Sequence, residues 1–167
     1  MLADILLLLV LIPVSLVINA LAHELGHAIA GKLVGLTIHR IVIVTDLRKG
    51  LAKPLFTLGG TEFYLGANSL LSYVTTSGIP FSRHPIKQIV FNLAGPISGA
   101  LMGVMFAFQA ISLTQTTAVN IVAFCLSIFY VVMDLANLKP ELQAYDTPSD
   151  GWNIRAAWRK LRAGNAE

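Results

Sequence analysis

Ile5-Leu6-Leu7-Leu8-Leu9-Val10-Leu11-Ile12-Pro13-Val14-Ser15-Leu16-Val17-Ile18-Asn19-Ala20-Leu21-Ala22 runs for 18 residues without a charged side chain and leads directly into His23-Glu24-Leu25-Gly26-His27. A bilayer-crossing helix needs about 20 mostly apolar residues, so this run, completed by the residues after it, reads as one span over 5–34. A second uncharged stretch, Gln88 to Met133, covers 46 residues. It is too long for one helix and suits two, 88–111 and 117–138, with the polar break at Ser112-Leu113-Thr114-Gln115-Thr116-Thr117. Three buried helices of a soluble protein would need polar faces to cover them, and the sequence lacks them.

Composition points the same way. The 167 residues are 55% hydrophobic and 13% charged, against about 25% charged in ordinary soluble domains. Mean hydropathy is +0.70. A soluble domain, a disordered chain and a nucleic-acid binder built on a basic patch are poor fits, and the single Cys125 excludes an internal disulfide scaffold. The expected fold class is an all-α membrane protein: a three-transmembrane-helix core in a single domain over 1–167, with a small cytoplasmic-side β-hairpin or sheet between helices 1 and 2. The rival for the first run is a cleaved signal peptide, since Ala20-Leu21-Ala22 resembles a small-residue cleavage site. Against it, Met1-Leu2-Ala3-Asp4 has no basic residue, and cleavage would leave the chain starting at His23.

Lys and Arg fix the expected orientation. Arg40, Arg48, Lys49, Lys53, Arg83 and Lys87 lie between the first two spans, and Lys139, Arg155, Arg159, Lys160 and Arg162 in the tail; the connection between spans two and three has none. The positive-inside rule then puts the first loop and the tail 139–167 in the cytoplasm and the N-terminus outside, in what is expected to be a prokaryotic cell membrane. With Trp152 and Trp158, the tail reads either as an interfacial amphipathic helix on anionic lipid or as an ordinary solvated tail.

Between the spans, Thr37 to Val44 is β-branched and reads as a strand. Gly59-Gly60 marks a turn, Thr61 to Leu65 a second short strand, and Leu70 to Tyr73 a segment dipping into the interface. Gly31 and Gly35 are read as loosening the end of the first helix. In the second span, Gly95-Pro96-Ile97-Ser98-Gly99 has the small-xxx-small spacing that lets helices approach closely, and Pro96 is expected to kink it.

The chemistry is concentrated in His23-Glu24-Leu25-Gly26-His27. Helical residues at i and i+4 are about 40° apart in azimuth, so two imidazoles can hold one metal ion while the adjacent Glu24 reaches a metal-bound water as general base. Zinc, one ion per chain, is the expected metal. Ionisable groups at membrane depth are functional by default. A catalytic zinc site takes three protein ligands, and the acidic candidates for the third are Asp134, Glu141, Asp146 and Asp150. Asp150 precedes Gly151, where a turn would aim its carboxylate back into the bundle.

Four pieces in order resemble the site-2 protease family of intramembrane zinc metalloproteases. They are the His23–His27 motif, Gly60-Thr61-Glu62-Phe63-Tyr64-Leu65-Gly66, Ala94-Gly95-Pro96, and Asn137-Leu138-Lys139-Pro140 followed by Ser149-Asp150-Gly151. The resemblance covers about residues 20–151 and implies zinc held by His23, His27 and Asp150, with Asp146 the lesser alternative because the gap from Asn137 is long. It implies Glu24 as the catalytic residue. Many members carry an Asn three residues after the Pro of Ala-Gly-Pro; here that position is Gly99. Asn92 is the candidate stand-in for oxyanion or substrate contact, and Asn137 for orienting Asp150 or substrate. The chain is expected to be a bare catalytic core without regulatory domains.

The expected function is intramembrane zinc metalloendopeptidase activity on a membrane-protein substrate, cleaving at a transmembrane or juxtamembrane bond. The alternative is a non-proteolytic, partner-binding relative with a structural or vestigial metal. Expected partners are the substrate helix and the lipid bilayer, with no nucleic acid; a homo-oligomer or a regulatory membrane partner is left open. Asp134, at the end of the third span, is read as equally suited to snorkelling, capping or function.

Overall fold

A computed structural model describes residues 2–43, 53–66, 72–78, 81–112, 118–141 and 148–164. Its order is α1 (Leu2–Leu33), β1 (Thr37–Ile43), β2 (Phe56–Leu58), β3 (Thr61–Leu65), β4 (Tyr73–Ser77), a 3-10 turn (Phe81–Arg83), α2 (Pro85–Ser112), α3 (Ala118–Ala136) and α4 (Asp150–Gly164). Three helices, α1, α2 and α3, are long and apolar enough to cross a membrane. At 1.5 Å per residue, α1 extends about 48 Å and α3 about 28 Å. Most of the helix surface that faces outward is large and apolar, including Leu2, Leu9, Leu101, Phe108 and Val132. Water would penalise that surface, whereas lipid does not.

α2 packs against α1, α3 and α4, and small residues set how closely. A Cβ on Gly26 of α1 would strike the Ala94 carbonyl and Ser98 of α2. A Cβ on Gly103 of α2 would come within 2.8 Å of Val131 Cγ2 and 3.0 Å of the Ser127 carbonyl on α3. The Gly-Pro segment is therefore a helix–helix contact, as its spacing suggests, and α2 continues as one helix through Pro96.

Beside a mostly helical core, the small sheet expected between the first two helices is present and has four strands among the described residues. Its order is β2-β3-β1-β4. β2 and β3 form a tight antiparallel hairpin whose Gly59 and Gly60 both have positive φ, 56° and 80°, the combination a two-residue hairpin turn needs. β1 runs parallel to β3 and antiparallel to β4. β4 begins at Tyr73, in place of the expected dip into the interface; Leu70 and Leu71 lie outside the described residues. Ile38, Ile41 and Ile43 of β1 pack with Ala28 and Leu36 into a buried core flanked by Leu25 and Phe91.

The end of α1 is sharply terminated rather than loosened. Gly35 has φ of 92°, Leu36 N donates to Gly31 O at 2.8 Å, and Gly35 N donates to Lys32 O at 3.1 Å. This is the paired bonding of a glycine-terminated helix. Lys87 Nζ adds a bond to the Val34 carbonyl at 3.0 Å. Gly31 is a packing position, since a Cβ there would meet Ile38 and Phe91.

If the α2–α3 seam depends on Gly103, Gly103→Leu overpacks it and costs about 1–3 kcal/mol. The outward-facing Leu101→Val should stay within about 0.5 kcal/mol. Denaturant unfolding of the purified variants in detergent measures both.

Candidate metal centre

His23 and His27 lie one turn apart on α1, and their Nε2 atoms are 3.2 Å apart. Each ring is held from behind through Nδ1. His23 Nδ1 donates to Asp134 Oδ1 of α3 at 2.6 Å, and His27 Nδ1 donates to the backbone carbonyl of Phe91 on α2 at 2.7 Å. Carboxylate and carbonyl oxygens only accept, so the ring proton resides on Nδ1 and the Nε2 lone pairs face inward.

Asp150 completes the group. Its Oδ2 lies 3.3 Å from His23 Nε2 and 3.4 Å from His27 Nε2. Asp150 is not in a turn, as the sequence suggested, but is the first residue of α4. Ser149 caps that helix: its Oγ accepts from Trp152 N at 3.1 Å and donates to the Lys139 carbonyl at 2.6 Å. Gly151 N donates to the Asn137 carbonyl at 3.0 Å, and a Cβ on Gly151 would strike the Leu138 carbonyl. Only glycine lets α4 start this close to the end of α3. Asn137 Nδ2 donates to Asp150 Oδ2 at 2.5 Å.

Among the described residues, His23, His27 and Asp150 form the group able to hold a metal ion, their ligand atoms all within 4.8 Å of one another. Tetrahedral zinc with bonds of about 2.0–2.2 Å places neighbouring ligand atoms about 3.3–3.6 Å apart. The observed separations of 3.2, 3.3 and 3.4 Å fit that ion.

The three residues open onto a cavity of about 440 Å³. Glu24, 4% exposed, lines it beside them. Ser72, Tyr73 and Val74 at the β4 end form another wall. Asn92 also lines it, its Nδ2 donating to the Gln88 carbonyl at 2.7 Å. Gly95 makes room for the centre: a Cβ there would collide with the His27 ring.

The other acidic residues separate clearly. Glu141 pairs with Lys139 at 2.8 Å on the exposed surface. Glu62 pairs with Arg40 across the sheet at 3.0 Å; hydrogen bonds from Tyr64 and Arg40 hold its carboxyl below the usual value. Asp146 lies outside the described residues. Asp134 is neither snorkelling nor capping, being 6% exposed with both oxygens engaged by α1. Its signal in the sequence was the rule already applied to His23 and Glu24: it is a lone charge inside an otherwise apolar helix.

The family model described as Peptidase M50B-like matches residues 2–138. The chain belongs to this family, a site-2 protease family. The match contains the His23–His27 motif, Asp134 and Asn137, and stops before Asp150. A relative from Chlamydia pneumoniae, named "Putative zinc metalloprotease", is 29% identical over 119 residues. That alignment covers 58% of this chain but only 18% of the relative, so this M50B-like chain spans less than a fifth of the relative's length.

Gly95→Ala is expected to push His27 out of line and weaken zinc affinity of the purified chain by about tenfold, within the range seen when ligand positioning is disturbed. Ile97→Ala, on the half-exposed side of the same helix, should leave it unchanged. Competition of both proteins with a chromophoric zinc chelator gives the answer.

Proposed function

We propose that this chain is an intramembrane zinc metalloendopeptidase that cleaves a transmembrane or juxtamembrane peptide bond of a membrane-protein substrate. The observation that carries the reading is the convergence of His23 Nε2, His27 Nε2 and Asp150 Oδ2 on one point beside the buried Glu24, within helices apolar enough to span a bilayer. Family membership supports it.

His23, His27 and Asp150 would hold the ion. Zinc, when bound, acidifies water and polarises a carbonyl as a Lewis acid. Glu24 takes the proton of the attacking water and returns it to the leaving amine, one carboxyl serving as base and then acid. Asn137 holds the Asp150 carboxylate in place. An oxyanion contact from Asn92 would use the second N–H of its amide, since one donates to Gln88.

A helical substrate hides its carbonyls in hydrogen bonds, so it must unwind before attack. The sheet offers a place for the unwound segment. Among the described residues β4 pairs with β1 on one side only, and its first residues line the cavity, so an extended peptide can add there as a strand. This end of β4 stands next to the centre. With the basic loop and tail in the cytoplasm and the N-terminus outside, the centre lies toward the cytoplasmic leaflet.

Glu24→Gln should keep zinc and lose cleavage of a single-span substrate in detergent by about 10³-fold, near the middle of what general acid–base groups contribute. Cleavage retained by purified Glu24→Gln protein would sink the mechanism. Chelator-insensitive substrate binding without any cleavage by the wild type would favour the non-proteolytic alternative. Asp150→Asn should lower zinc content sharply while Asp146→Asn leaves it near wild type; the reverse pattern would move the third ligand.

A further inference from the structure

Asp134 is the one acidic or basic residue of α3, a helix made mostly of apolar side chains. It is buried, and a buried carboxylate is costly unless charge or hydrogen bonds compensate it. Both oxygens are compensated by one helix. Oδ1 accepts from His23 Nδ1 at 2.6 Å, and Oδ2 accepts from Asn19 Nδ2 at 2.8 Å. Asn19 and His23 are one turn apart on α1, so the carboxylate grips two successive turns of the same face. One turn further along both helices, Ser15 Oγ and Tyr130 OH lie 2.7 Å apart.

The space for this carboxylate is reserved on α2. A Cβ on Gly99 of α2 would fall on the Asp134 carboxylate group itself. No side chain at position 99 is compatible with Asp134 where it stands. The two proposed histidine ligands are therefore oriented differently. His27 is held by a backbone carbonyl of α2, and His23 by the Asp134 side chain of α3. A carboxylate behind an imidazole fixes the Nδ1–H tautomer and raises the basicity of Nε2.

We infer that Asp134 is a positioning residue for the metal centre: it sets the tautomer and orientation of His23 so that Nε2 faces the ion, and Gly99 is the space that admits it. This rests on the metal-site reading of His23, His27 and Asp150. It assigns to α3, which supplies none of those three residues, control over one of them.

The test is zinc affinity of the purified full chain in detergent, by competition with a chromophoric chelator, beside thermal unfolding of the zinc-free protein. Asp134→Ala should weaken zinc binding 10–100-fold, the range for loss of such partners. Asp134→Asn keeps an acceptor oxygen for Nδ1–H and should recover most of that loss. Asn19→Ala breaks the other half of the interhelical bridge without touching His23, and should change zinc affinity less than threefold even where unfolding shifts. Gly99→Ala should match Asp134→Ala, and the double variant should be no worse than either alone. Nitrogen chemical shifts of ¹⁵N-histidine should report the Nδ1–H tautomer of His23 in the wild type and its loss in Asp134→Ala.

Wild-type affinity in Asp134→Ala overturns the inference. So does equal weakening in Asn19→Ala and Asp134→Ala, which would mark the carboxylate as a helix bridge only. If Asp134→Ala does not fold, Gly99→Ala and Asp134→Asn decide: unchanged affinity in Gly99→Ala overturns it. A wild-type protein that takes up no zinc would instead sink the metal-site reading on which this inference stands.

Discussion

Every ionisable or strongly polar group buried in an apolar helical bundle must find a partner inside the protein, because neither lipid tails nor packed side chains will solvate it. That requirement organises this molecule around one face of α1. His27 is answered by a backbone carbonyl of α2, His23 and Asn19 by the Asp134 carboxylate of α3, and both imidazoles by Asp150 at the start of α4. Each of the other helices is thus fixed to α1 by a polar contact at the same level. The apolar surfaces between them are permissive about rotation and register, while these contacts are not.

Such contacts need the backbones closer than ordinary side chains permit. Glycine supplies the missing space at each junction: Gly95 under the His27 ring, Gly99 under the Asp134 carboxylate, Gly151 against the Leu138 carbonyl and Gly26 against Ala94. The departure from the family's pattern at Gly99 acquires a steric reason here. Asn at that position and Asp134 in its present place would compete for one volume. A residue that looked like a lost functional group is the vacancy that lets another one in.

Much of the site was legible because scarcity made it so. In a chain with 13% charged residues, His23, Glu24 and His27 stand out against an 18-residue apolar run, and i,i+4 spacing already puts both imidazoles on one face. Asp150 was less legible. Distance along the chain says nothing about return in space, and only the Ser149 cap with Gly151 against Leu138 shows how α4 comes back to α1. Asp134 was undervalued because its partners, Asn19 and His23, lie more than 100 residues away in sequence. The sheet was half visible. Gly59-Gly60 announced a turn, but the parallel pairing of β1 with β3 and the strand at Tyr73–Ser77 depend on contacts that local patterning does not encode.

By itself the sequence determined what is local or compositional: three apolar helices, a metal-binding pair with its neighbouring carboxyl, a glycine turn and an uneven distribution of positive charge. These follow from side-chain hydropathy and from helical periodicity, which act over a few turns. Only the tertiary structure decided which carboxylates reach the histidines, which of their oxygens does so, and from which side. That outcome depends on how closely three helices can approach α1. It was set by the absence of a Cβ at a few positions and by the need to satisfy each buried charge within the bundle.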